Sequence, residues 1–191
     1  MTGSFVKTTN ILLSGSSFLI SSLSGKPAIC GMPAAVSVEL TNHCNLECPE
    51  CISGSGKMKR ERGFMDISLF EKVISELRPY LYYINLCFQG EPMIHPGFFS
   101  FLDLTENIYS VVSTNGHFLS EDTSEKLAKS GLNKLVVSLD GLDQEVYSEY
   151  RRNGDLEKVI DGIRNVAAAV TINCKLHDLI YILLNIMLIE S

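Results

Sequence analysis

The chain has 191 residues, 46% of them apolar, which is enough for one domain with a real core. Charged residues make up 20%, and 22 acids against 16 bases give a net charge of −6. That balance argues against a general nucleic-acid or anionic-membrane binder, which would need a basic face. The apolar fraction excludes disorder, and six cysteines are too sparse for a disulfide scaffold.

Residues 1–34 read as a peripheral N-terminal helix or extension. Ile11–Leu23 is apolar enough to imitate the hydrophobic region of a secretory signal, but Lys7 is the one basic residue before it and serines interrupt it. Ala35–Leu40 predicts a first strand. A helix is expected from near Asp66, with Ile67, Phe70, Val73, Ile74 and Leu77 on one face, Ser68 and Glu71 as a capping box, and Pro79 as the stop. Tyr82–Phe88 predicts a second, nearly all-apolar strand that runs into Gln89-Gly90-Glu91-Pro92, with a short helix after Pro96. Ile108–Val112 predicts a third strand ending in Ser113-Thr114-Asn115-Gly116. Ser120 is placed to cap the next helix, which has Glu121 and Asp122 in its first turn. Leu135–Leu139 predicts a fourth strand leading to Asp140-Gly141. An amphipathic helix with Leu156, Val159, Ile160, Ile163 and Val166 follows.

Apolar strands alternating with helices indicate an α/β protein with a parallel sheet, either barrel-like or doubly wound. Function in such sheets collects at the carboxyl ends of the strands. Thr41–Cys44, Gly90–Glu91, Ser113–Asn115 and Ser138–Asp140 all fall there. The end of the chain, 171–191, is an atypical apolar segment. Its stretch Leu179–Ile189 is about half the length a bilayer span requires, so it reads as a buried strand or helix and no membrane span is expected.

The most specific signal follows the first strand: Cys44-Asn45-Leu46-Glu47-Cys48-Pro49-Glu50-Cys51, a C-x3-C-x2-C spacing. Three thiolates from one loop can wrap one face of a small metal centre. They complete neither a closed Cys₄ zinc site nor an all-protein Cys₄ cluster, so one iron of a [4Fe–4S] cube would stay open. With His43 they could also form a Cys₃His zinc site.

This stretch, from Val36 through the Thr41-Asn42-His43-Cys44-Asn45-Leu46 opening to Met65, resembles the radical S-adenosylmethionine (radical SAM) enzymes, and within them the SPASM-associated branch. The resemblance runs to about Val166. It implies a partial (β/α)₆ TIM-type barrel over residues 35–170, with a [4Fe–4S] cluster at its mouth on Cys44, Cys48 and Cys51. It further implies S-adenosylmethionine across the strand ends, contacted by Gly90, Glu91, Ser113, Asn115, Ser138 and Asp140. Arg151 or Arg152 would pair with the cofactor carboxylate. The implied chemistry is one-electron cleavage of the sulfonium and hydrogen abstraction from a small-molecule or peptide substrate. A flavodoxin- or ferredoxin-type reductant and a reducing cytoplasm go with it. Glu50 stands where the family often has an aromatic residue before the third cysteine.

Only four barrel units are legible. The cysteine-rich C-terminal extension of the branch has no counterpart, because only Cys87 and Cys174 follow Cys51. The expectation is therefore a truncated or frame-shifted form. The alternatives that stay open are a zinc-stabilised binding module and an inactive remnant that only binds a cluster. Cys87 reads as a small core residue, and Lys57–Arg62 as a solvated segment able to close over the site.

Overall fold

The computed structural model describes residues 2–173 and 181–184; Cys174, His177 and the remainder of the apolar segment beyond those bounds lie outside it. Helix α1 (Thr2–Ser24) leads through a strap into β1 (Ala35–Ser37). Then follow α2 (Ile67–Leu77), β2 (Tyr83–Asn85), a 3-10 turn at Pro92–Ile94, α3 (Phe98–Asp103), β3 (Tyr109–Thr114) and α4 (Glu121–Lys129). The last elements are β4 (Lys134–Leu139), α5 (Gln144–Tyr150), α6 (Leu156–Asn173) and β5 (Tyr181–Leu184).

The strands form one sheet in the order β1-β2-β3-β4-β5, with every pairing parallel. Spatial order equals chain order, without the reversal that marks a doubly wound sheet. The winding is therefore that of a barrel wall, and β5 extends it one strand past the four legible in the sequence.

Burial explains the pattern. Val111, Val112, Leu135, Val136 and Val137 are buried, as expected of parallel strands covered on both faces. On α2, Phe70 and Ile74 enter the core beside Leu40, Ile84, Leu86 and Phe101. The α2 cap is Asp66, whose carboxylate accepts from the Ser68 and Leu69 N–H groups; it does the work expected of Ser68 because it stands immediately before the first helical residue. Ser120 caps α4 by accepting from Thr123 N–H. Polar chain ends thus gather at one rim while the core fills the space beneath.

Candidate active site

Three loops at the carboxyl rim, together with the end of β4 and the segment beyond it, build the site. The first follows β1 and carries the cysteines. Its entry is pinned: Thr41 Oγ1 donates to Gly63 O at 2.8 Å, Asn42 Nδ2 donates to Glu61 O at 2.9 Å, and Asn42 Oδ1 accepts from Gly63 N–H at 2.8 Å. Arg62 Nη2 donates to Ser53 O at 2.7 Å, and Arg60 pairs with Glu39. The Lys57–Arg62 segment is solvent-exposed, as expected, apart from half-buried Met58, and its Arg62 and Arg60 are tied to Ser53 and Glu39. Gly54 lies against Cys48 so closely that a Cβ would stand 2.5 Å from its nitrogen.

Cys44, Cys48 and Cys51 line one cavity of about 100 Å³ together with Gly90, Glu91, Ser113, Asn115, Ser138 and Arg151. Leu46, Gly54, Thr114 and Cys87 complete the lining. Asp140 reaches it through Arg151. All five cysteines among the described residues are free thiols. Burial raises the Cys44 and Cys48 thiols, and at Cys48 the charge of Arg151 opposes the rise. Cys87 is pushed up to about 12 by burial. It is half-buried and lines the site, a position its apolar strand context did not reveal. Among the described residues, no three Cys, His, Asp or Glu side chains converge on a point that would hold a single metal ion.

The second loop follows β2. Gly90 has φ +73°, and a Cβ there would meet Thr41 O at 2.5 Å and His43 O at 2.6 Å. Glycine alone lets the two loops touch, and Glu91 N–H then donates to His43 O at 2.7 Å. The Glu91 side chain is 1% exposed. Its Oε1 accepts from Thr114 Oγ1 at 2.8 Å and Met93 N–H at 3.1 Å, and its Oε2 from Asn115 N–H at 2.7 Å. A carboxylate has about four acceptor positions, so one remains for a further donor.

Burial raises Glu91 to about 7 from 4.5, against those three hydrogen bonds. The folded chain then keeps a proton that the unfolded chain releases. The associated stability is fully present below about pH 4.5 and is lost as pH rises through about 7. We expect the apoprotein to lose on the order of 2–3 kcal/mol across that window, measured as urea midpoints, with the slope absent in Glu91→Gln.

The third loop follows β3. Asn115 Nδ2 donates to Asn45 Oδ1 at 2.8 Å and lies 3.9 Å from Cys44 Sγ. Its orientation is held from behind by His117, whose Nδ1 sits 3.1 Å from Asn115 Oδ1 and whose Nε2 accepts from Asp155 N–H at 2.9 Å. The second contact makes the ring neutral with its proton on Nδ1. His117 carries no sequence pattern that marks this role, since its partners are a neighbour in its own turn and the cap of a later helix. Beyond β4, Arg151 Nε pairs with Asp140, and Arg151 Nη1 lies 3.9 Å from Cys48 Sγ. Arg152 is exposed at the surface, so of the two adjacent arginines it is Arg151 that faces the thiols. His43 turns away from the cavity and stacks on Phe64 at 4.8 Å between ring centroids.

Fold and rim together define a class: a parallel barrel wall whose mouth is organised around three thiols of one loop. Residues 38–186 match the Radical SAM superfamily, and the chain belongs to that family. The mycofactocin maturase MftC of Mycobacterium tuberculosis is 32% identical over 140 residues, which are 72% of this chain and 35% of that protein. The GTP 3′,8-cyclase of Alkaliphilus oremlandii is 28% identical over 136 residues, covering 66% of this chain and 41% of its own. Among solved structures, Streptococcus suis SuiB bound to S-adenosylmethionine superposes with a TM-score of 0.63 at 19% identity, over 81% of this chain and 35% of that one. The barrel wall seen here is thus the fold of a radical SAM protein. The chain spans about a third of the length of the maturases it matches.

Proposed function

We propose that the chain binds a [4Fe–4S] cluster through Cys44, Cys48 and Cys51 and S-adenosylmethionine across the ends of β2–β4, and that it takes part in reductive radical chemistry. One observation carries this reading. Three thiols at C-x3-C-x2-C spacing share a cavity with a buried carboxylate, a half-buried guanidinium and the ends of β3 and β4. The donor set fits the group, because sulfur ligands from a single loop are the usual holders of iron–sulfur centres and three of them leave one iron open. When bound, the reduced cluster would supply the electron that cleaves a carbon–sulfur bond of the sulfonium, so that hydrogen can be taken from a substrate.

The chain's own residues account for the rest. Arg151 and Asn115 would donate to the sulfurs of Cys48 and Cys44 and so stabilise them as thiolates. Because burial raises both thiols, loading should release protons. The free acceptor position of Glu91 would take an ammonium donor. Ser113 and Ser138 offer hydroxyls, and Arg151 offers the N–H groups not held by Asp140, which suit a carboxylate. Buried Leu46 and half-buried Cys87 keep that part of the wall apolar. The substrate would be a small molecule or a peptide, and the electron would come from a flavodoxin- or ferredoxin-type protein in a reducing cytoplasm.

The test is anaerobic reconstitution with iron and sulfide. About four irons per chain, lost when any of Cys44, Cys48 or Cys51 becomes Ala and retained in Cys30→Ala, is the expected result. Stoichiometric zinc without colour would replace this reading with a zinc-stabilised module.

A further inference from the structure

The net charge of the chain hides an uneven distribution. The first 38 residues contain Lys7 and Lys26 and no acid, which leaves −8 on the rest of a chain whose net is −6. The same arm carries α1, whose large apolar side chains stand in solvent: Phe5 is 75% exposed, Leu12 66%, Phe18 77%, Leu19 58% and Leu23 80%. At about 100° per residue, the exposed apolar positions of α1 cover roughly two thirds of its circumference. A helix pairing with one other helix needs a stripe only about half as wide.

The remaining third of α1 is polar and already occupied. Asn10, Ser14, Ser17 and Ser21 lie along one line at spacings of four, three and four, and they hold the strap that follows. Asn10 Oδ1 accepts from Met32 N–H at 2.8 Å, Ser17 Oγ from Cys30 N–H at 2.7 Å, and Ser21 Oγ from Ala28 N–H at 2.8 Å. The polar stripe therefore fastens α1 to its own chain and turns the apolar side outward. Ile29 on that strap is itself 89% exposed. Lys7 Nζ lies over the Tyr82 ring, next to the amino end of β2. The arm is thus seated at the end of the sheet opposite the thiol rim.

We propose that α1 is an interfacial helix that lies in the surface of a bilayer containing anionic phospholipid, with the thiol rim turned away from the lipid. No helix among the described residues is long and apolar enough to cross a membrane. Helix α1 combines bulky exposed apolar side chains with small hydroxyl residues, one lysine and no acid, a composition suited to lying on lipid. The acidic body would be repelled by an anionic surface, so the acid-free arm is the one part suited to touch it.

Flotation of the full chain with vesicles tests this. Wild-type protein should float with phosphatidylcholine vesicles containing phosphatidylglycerol, and less with phosphatidylcholine alone. Phe18→Ser/Leu23→Ser, which alters two side chains that stand almost wholly in solvent, should bind about tenfold or more weakly with an unchanged thermal midpoint. The proposal is overturned if wild type stays free of both vesicles, if it binds both equally, or if the double variant floats as well. It is also overturned if light scattering shows a wild-type dimer that the double variant dissolves, because the face is then a contact between two copies.

Discussion

Gly90→Ala is expected to lower stability by about 2–5 kcal/mol and to abolish iron loading. Two costs add. A side chain at φ +73° pays roughly 1–2 kcal/mol for the left-handed conformation. The new methyl must also push aside Thr41 O, His43 O and Asn42 Cα, at 2.5, 2.6 and 2.8 Å, which costs about 1–3 kcal/mol as overpacking. These are backbone atoms and cannot rotate away. The displaced segment ends at Cys44, so the strain goes directly into the cysteine loop and breaks the Glu91 N–H to His43 O bond. Urea midpoints and iron content after anaerobic reconstitution measure the two effects. Gly131→Ala is the control. A Cβ there meets nothing within 4 Å, and the change should stay within about 0.5 kcal/mol.

Arg151→Gln should cost about 2–4 kcal/mol and weaken iron retention. The Asp140 side chain is 5% exposed and that of Arg151 16%. Removing the cation strands a buried carboxylate, which is where the cost of breaking a buried pair arises. It also removes the charge that opposes the rise of the Cys48 thiol. The double variant Asp140→Asn/Arg151→Gln should regain about 1–3 kcal/mol of the loss, since no unpaired charge remains. Arg152→Gln, on the exposed neighbour, should be nearly silent. Denaturant titration of wild type, Asp140→Asn, Arg151→Gln and the double variant checks the cycle. Additive losses would show that the Asp140–Arg151 pair contributes nothing as a pair.

Much of this site was legible because its parts are local. The cysteine spacing, the Gly90-Glu91 turn and the Ser-x-Asp-Gly turn each sit within a few residues of an apolar run, so strand-end position and residue type coincide. What escaped reading is held by distant partners. Thr114 matters because it donates to Glu91, 23 residues away, and no local pattern announces such a pair. His117 is similar, with Asp155 N–H 38 residues on. Helix α5 was missed because seven residues give too little apolar period, although Asp143 is a cap whose side chain accepts from Val146 N–H. Strand β1 ends at Ser37, shorter than its apolar run: Val38 N–H still donates to Asn85 O at the end of β2, but Leu40 O accepts from Met65 N–H instead of a neighbouring strand. The apolar C-terminal stretch supplied β5, paired parallel to β4 from Val136 with Tyr181 to Leu139 with Leu184. That pairing is set by the neighbouring strand and could not be read from the stretch itself.

The most direct measurement is electron paramagnetic resonance of the reconstituted, dithionite-reduced protein, recorded before and after S-adenosylmethionine is added. The account predicts a reduced cubane signal that changes on addition of the sulfonium, because a vacant iron corner takes it up, and no signal at all once Cys48 is replaced by Ala. A spectrum indifferent to S-adenosylmethionine, or one that survives loss of Cys48, would contradict it.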